Sequence, residues 1–416
     1  MDGKEYIDAV SGIAVVNYGH NNRRIIEAVK EQLDQVTFSY PSQATTETTL
    51  KLLEKLMSLL PDSLGEGKVM LLNSGSEAND FALRAARLHH VAKGDKGKYR
   101  FIGRWISYHG ATSCLSCTGH PLRRWPFEPQ LLNFPMVEPP YCYRCPWKKE
   151  YPECDMECAL AVEKCIKRSD PDTIAGFICE VIGGMSGGFL VPPREYYPMV
   201  KEVCEKYNVL FVDDEVINGL GRTGKMWAFQ HYDFVPDIVT TAKGLGGGVV
   251  PISAMIASSK VIEPIYETNT RFDLYVTYGS NPVACSAALA GIEVLLQDNL
   301  VEKAASLGEY MLRKLKALEP DHKIIGDIRG KGLSIGVELV KDKSTKGMFK
   351  DQETPGKEVQ QRAWEKGVRI LGTKGPGGGL MSDFLALFPP LIISHRQIDK
   401  IVMVIDEALT EVERTL

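Results

Sequence analysis

The sequence predicts an α/β protein: a large domain on a mostly parallel, doubly wound sheet, and a smaller α/β domain formed by the two chain ends. Three observations carry this. From about residue 65, short apolar runs alternate with amphipathic stretches, as parallel α/β architecture requires. Near residue 297 that rhythm changes. With 416 residues, 44% of them hydrophobic and 25% charged, the chain is long and apolar enough for a large core.

The elements follow in order. The first 45 residues read as a helix with a short strand, suited to pack with the C-terminal part. "KVMLLN" reads as a buried strand, and "SGSEANDFALRAARLHHVA" follows it with Ala78, Ala82, Ala85 and Ala86 at helical spacing, so a helix begins near Ser76. Further strands are expected at "YRFIG", "TIAGFICEVI", "VLFVD", "DIVTT" and "ISAMIA", with "EYYPMVKEVCEKYN" a helix among them. Six strands suffice for a doubly wound sheet. After the long helix "PVACSAALAGIEVLLQDN" come a helix, the strand "KGLSIGVELV", a polar loop, another helix, short strands and a final helix. The expected division is 46–296 for the large domain, and 1–45 with 297–416 for the small one.

Composition narrows the function. The formal charge is −4 and no basic tract occurs, which argues against nucleic acid as a partner. No stretch reaches the roughly 18 uninterrupted apolar residues of a membrane span, and "MDGKEYIDAV" begins acidic where a signal peptide would be basic and then apolar. The reading is a cytoplasmic protein. Ten cysteines are too sparse for a disulfide scaffold in a chain of this length.

The chemistry is approached through "TTAKGLGGG", where Lys243 ends an apolar run and precedes four glycines in five positions. A phosphate-cradling P-loop places its lysine after the glycines, and here it comes before them. "GLGRTG", at Gly219, Gly221 and Gly224, satisfies a dinucleotide pattern, but "DDEVIN" separates it from its strand and no helix opens behind it. The third reading is a Schiff-base lysine at a strand end, with small neighbours that let a bulky ring approach.

If the ring belongs to pyridoxal phosphate, the chain must supply four further groups. A carboxylate for the pyridine nitrogen is offered by "VLFVDDEV", which ends a strand on the same sheet rim as Lys243. A phosphate seat is offered by Gly75 and Ser76 of "NSGSEAN" at a helix N-terminus. Tyr108 of "SYHG" offers a flat partner for the ring, and Thr277 of "VTYGSNPVAC" a second phosphate donor. Each also reads blandly on its own: solvated loop acids, an ordinary helix cap, a packing turn. Their joint occurrence at strand ends favours the cofactor.

The motifs "NSGSEAN", "YHG", "DDEVINGLGRTG", "TTAKGLGGG" and "TYGSNPVAC" together resemble a class III aminotransferase of the pyridoxal phosphate fold-type I superfamily, over essentially the whole chain. The resemblance implies that Lys243 carries the cofactor and then shuttles the substrate proton. It implies that Asp214 pairs with the ring nitrogen, Val216 and Tyr108 flank the ring, His109 stands beside it, and Gly75 and Ser76 hold the phosphate. It further implies a homodimer, with tetramers open, in which Thr277 reaches the neighbour's phosphate.

The departures narrow the substrate. Ile217 stands where the family often has a glutamine on the ring hydroxyl. Members that clamp an α-carboxylate carry an arginine three residues before the Pro-Pro of "DFLALFPPLIIS", and this chain has Ala386. Arg369 of "GVRILG" is the candidate replacement, by analogy with the mobile arginine of amine:pyruvate members; it reads equally as a surface arginine. Glu180 matches an acid that masks the clamp arginine in some relatives. Relative to many members, the N-terminus reads short by about a turn of helix and a strand.

The insert "PPYCYRCPWKKEYPECDMEC" brings Cys142, Cys145, Cys154 and Cys158 close in sequence. Four thiolates at such spacing could hold a structural zinc, and the alternative is a loop of packed cysteines.

The function expected is transfer of an amino group from an ω-amino acid or primary amine to pyruvate, with 2-oxoglutarate the second acceptor. An amino-acid racemase or epimerase of the same fold is the alternative within the family. A dinucleotide-dependent dehydrogenase, resting on "GLGRTG" alone, and a non-catalytic scaffold are the alternatives outside it.

Overall fold

In the computed structural model, which describes residues 3–270, 272, 275–350, 352–375 and 379–416, the chain forms thirteen strands among these residues. They are β1 (Ile7–Asp8), β2 (Lys68–Leu72), β3 (Arg100–Arg104), β4 (Met136–Val137), β5 (Ile174–Cys179), β6 (Leu210–Asp214), β7 (Ile238–Thr241) and β8 (Ser253–Ala257). The C-terminal third adds β9 (Ile325–Lys331), β10 (Ser334–Leu339), β11 (Val368–Arg369), β12 (Leu371–Thr373) and β13 (Phe384–Leu387).

A seven-stranded sheet runs in the order β2-β8-β7-β6-β5-β3-β4. From β7 to β4 neighbouring strands are parallel, and β8 is antiparallel to both β7 and β2. β5 to β8 are buried throughout, as their unbroken apolar runs demand of strands covered on both faces. Phe177 and Phe211 from adjacent strands meet edge to face at 5.4 Å between centroids, and burying side chains of this kind is worth about 1.5–3 kcal/mol each. All six strands read from the sequence are present. The seventh, β4, escaped because two residues among prolines carry no alternation.

The helix expected near Ser76 spans Gly75–Ala92. Ser74 caps it by accepting from the Glu77 N–H at 3.2 Å, while the Glu77 carboxylate accepts from the Asn73 N–H at 2.8 Å. Its inward face carries Ala78, Ala82, Ala85 and Ala86, all fully buried, and small side chains let the helix lie close against β7 and β8. That close approach brings its N-terminus to the sheet rim.

A second, four-stranded sheet runs β12-β13-β10-β9, antiparallel throughout. β1 pairs in parallel with β11, matching Ile7 with Val368, so the N-terminal segment joins the C-terminal third. The helix Arg23–Gln35, in contrast, lies against the helix Pro282–Gln297. Among the described residues no single helix is long and apolar enough to cross a membrane. The pair Pro282–Gln297 and Leu300–Lys316 has the length and composition only together, across a 64° bend.

Candidate active site

The ends of β6 and β7 place the central pair. Asp214 is the last residue of β6, and Lys243 follows β7 by two residues; both line one cavity of about 500 Å³. Gly75, Ser76, Tyr108, His109, Glu180, Val216 and Ile217 line the same cavity, so nine of the residues singled out in the sequence converge. Thr277 lies apart on an exposed turn, and Arg369 lies outside the cavity lining.

Lys243 adopts φ = 42°, in the left-handed region that non-glycine residues seldom occupy. Its amine meets no hydrogen-bond acceptor among the described residues. Burial holds its pKa below the ordinary lysine value, against the opposing pull of Asp214 and Glu180. A buried amine that sheds its proton easily is what nucleophilic and general-base lysines need.

The glycines behind Lys243 also serve contacts the sequence did not disclose. A Cβ on Gly244 would collide with the Asn17 side chain, and one on Gly248 with Val16. These glycines admit the N-terminal segment against the lysine loop; Val15 of that segment reaches the cavity wall. At Gly75 the demand is local to the site, since a Cβ there would stand 2.9 Å from Val216.

Three donors converge on Asp214. His109 Nδ1 donates to Oδ2 at 2.8 Å, Asn79 Nδ2 donates to the same oxygen at 2.7 Å, and the Val216 N–H donates to Oδ1 at 3.1 Å. Asn79 is the residue the sequence reading missed. Its amide also donates to the His109 carbonyl at 2.9 Å, and its oxygen accepts from Thr240 Oγ1 at 2.7 Å. The available signal was a polar residue one helical turn beyond Gly75, on a face otherwise made of alanines.

Glu180 follows β5 and accepts from the Tyr108 N–H at 3.4 Å, and burial pushes its carboxyl up to about 7. Ala386 sits buried in β13, paired with Gly336 and Leu371, and adds no charge to the site. Arg369 donates to the Gly12 carbonyl at 3.2 Å and lies 3.7 Å from Asp8, so it would have to leave both to reach a substrate.

The residues fit pyridoxal phosphate. The Gly75 and Ser76 N–H groups, first in their helix, have no intrahelical acceptor and face the cavity as an anion seat. The missing Cβ at Gly75 leaves room beside Val216, and the unpartnered Lys243 amine and the Asp214 carboxylate open onto the same space.

Two other expectations are corrected or closed. The zinc is not supported: among the described residues no group of three or more His, Cys, Asp or Glu side chains is placed to hold a metal. Tyr141 and Arg144 are tied to Glu338, which leaves Cys142 between them exposed on the rim. Cys154 and Cys158 turn into the core, where burial pushes the Cys158 thiol up to about 12 and disfavours the thiolate a metal needs. "GLGRTG" is no phosphate loop. Arg222 within it is wholly buried, donates to the Leu333 carbonyl and Ser11 Oγ at 3.2 Å each, and also meets Asn17 and the Pro389 carbonyl.

Known proteins resemble this chain along its whole length. The family described as "Aminotransferase class-III" matches residues 1–409. A taurine–pyruvate aminotransferase of Bilophila wadsworthia is 36% identical, covering 100% of this chain and 90% of its own. A leucine/methionine racemase of Thermococcus litoralis is 36% identical over 99% of this chain and 88% of its own. The solved structure of the Pseudomonas jessenii ω-transaminase in complex with PMP superposes with a TM-score of 0.92 at 33% identity, covering 99% of this chain and 90% of that one.

Proposed function

The chain belongs to the class III aminotransferases, and from that premise we propose that it moves an amino group from an ω-amino acid or primary amine to pyruvate, with 2-oxoglutarate the second acceptor. The observation that carries this reading is the meeting of Lys243 and Asp214 at adjacent strand ends in one cavity. The absence of arginine at Ala386 argues against a fixed α-carboxylate clamp, and the taurine–pyruvate and ω-transaminase relatives point the same way.

Pyridoxal phosphate, when bound, supplies an aldehyde that exchanges with amines and an electron-withdrawing ring. Lys243 would hold its aldehyde carbon, Asp214 its ring nitrogen, Val216 and Tyr108 its faces, and Gly75 and Ser76 its phosphate. The Lys243 amine, its pKa lowered by burial, is the base that moves the proton from the amine-bearing carbon of the substrate. Asn79 and His109 hold Asp214 in place by hydrogen bonds to Oδ2.

Three further readings go with this one. The enzyme works as a homodimer, with Thr277 on its exposed turn completing the neighbour's phosphate site. It divides into a large domain, 46–296, and a small one of 1–45 with 297–416, a division supported by the separate sheets. It resides in the cytoplasm, a reading supported by its sparse cysteines.

The test is the visible absorption spectrum of the cofactor-loaded enzyme as amines and amino acids are added singly. Transfer predicts a band bleached by some donors and restored by pyruvate or 2-oxoglutarate. Loss of optical activity in a single amino acid without any keto acid would instead establish the racemase reading, which the Thermococcus litoralis relative keeps in view.

A further inference from the structure

A cation with no anionic partner stands beside this cavity. Arg123 lies in the short helix Pro121–Arg124, with its guanidinium carbon 4.6 Å from the centroid of the Tyr108 ring. It is exposed, and among the described residues it meets no carboxylate or carbonyl oxygen. Its neighbour Arg124 is fully engaged, donating to Glu128 at 2.5 Å and to the Ser116 carbonyl at 2.8 Å. Tyr108 lines two hollows: the Lys243 cavity, and one of about 860 Å³ lined also by Arg123, Thr112 and Phe127, so Arg123 reaches the first only past Tyr108.

We propose that Arg123 holds the anionic end, carboxylate or sulfonate, of the substrates that react at Lys243. The proposal rests on the amino-transfer reading above and names the residue that gives it specificity. A guanidinium is the natural holder of a keto acid's carboxylate, and the other guanidinium groups around the site are committed. Arg369 is bound to Gly12 beside Asp8, Arg104 to Tyr197 and the Glu180 carbonyl, Arg222 to carbonyls, and Arg144 and Arg329 to Glu338. A guanidinium fork matches a carboxylate through two parallel N–H···O bonds, and a sulfonate offers the same pair of oxygens. Contact with the face of Tyr108 leaves those donors unspent. The charge also acts at the reacting amine, where Arg123 contributes to lowering the Lys243 pKa.

Two unreactive anions, propionate and methanesulfonate, titrated calorimetrically into the cofactor-loaded enzyme, read the site without turnover. We expect the wild type to bind at least one of them, Arg123→Gln to bind it on the order of tenfold more weakly or worse, and Arg123→Lys to recover part of the loss. The anion that binds tells a carboxylate site from a sulfonate site. In kinetics, kcat/KM for pyruvate relative to that for butanal, a neutral acceptor, should fall by about the same factor in Arg123→Gln. A wild type that binds neither anion, or an Arg123→Gln variant that binds as tightly as wild type, overturns the proposal. Anion binding through Arg123 in an enzyme that transfers no amino group upholds the anion site and sinks the transfer reading; transfer with unchanged anion affinity in the variant does the reverse.

Discussion

Lys243 is held in a backbone conformation that costs of order 1 kcal/mol or more, and its position at a strand end keeps the amine aimed into the cavity. Lys243→Ala relieves that environment of its buried amine, so the variant should fold, keep its thermal midpoint within a few degrees, and lose at least 10³-fold in turnover. Wild-type turnover in that variant would remove the mechanism. Asn79 acts one step back. Asn79→Ala leaves Asp214 with one donor fewer and strands Thr240, so we expect a loss of about 1–3 kcal/mol in stability and a fall in kcat. Denaturant midpoints and single-turnover rates read the two effects separately.

Glu180 makes a pH prediction at the same scale. Its carboxyl is raised from 4.5 to about 7 by burial, so between those values the folded chain keeps a proton that the unfolded chain releases. Its contribution to stability is therefore present below about pH 4.5, declines as pH rises, and is lost above about 7. The full span corresponds to about 3 kcal/mol. Urea titration of the cofactor-free protein at pH 5 and pH 8 should show Glu180→Gln losing less stability than wild type over that interval. Equal losses would mean the carboxyl does not carry the proton.

At the scale of elements, the glycine tract after β7 is an interface between the lysine loop and the N-terminal segment. Gly244→Ala drives a methyl into Asn17, which Arg222 also holds. We expect a loss of about 1–3 kcal/mol and a reduced affinity for cofactor, measured by thermal shift and spectral titration; an unperturbed variant would mean the segment yields freely. The sequence disclosed that the glycines matter but not that the N-terminal segment packs on them. A run of glycines says that space is short without saying what fills it, and the occupant here lies more than 220 residues away in the chain. Strands were legible for the opposite reason. β5 to β8 are buried on both faces, so each shows as an unbroken apolar run, whereas β4 contributes two residues and depends on β3 for its existence. Asn79 was missed because its partners, Thr240 and Asp214, belong to two other strands.

At the scale of the molecule, the homodimer reading makes Lys243 and Thr277 of different copies share a site. Co-expressing Lys243→Ala chains with Thr277→Ala chains should then restore activity at limiting cofactor above that of either alone, because mixed dimers contain one site with both native residues. No rescue would mean each chain builds its site by itself. The cysteine insert teaches a related lesson. Its spacing suited a metal, but spacing constrains only distance along the chain. Two of its thiols became part of the core while another stayed on the rim.

The fold class, the six main strands and the residues Lys243, Gly75, Ser76 and Tyr108 followed from the sequence because they depend on local pattern and on the rule that parallel strands present their carboxyl ends on one rim, while the choice of Asp214 among three neighbouring acids, and Val216, came from the family resemblance. What only the tertiary structure decided is who stands next to whom across that rim: Asn79 on Asp214, the N-terminal segment on Gly244, Arg369 on Gly12 and Arg123 on Tyr108. Those pairings arise from packing between distant elements, and the forces that set them leave no periodic mark in the sequence.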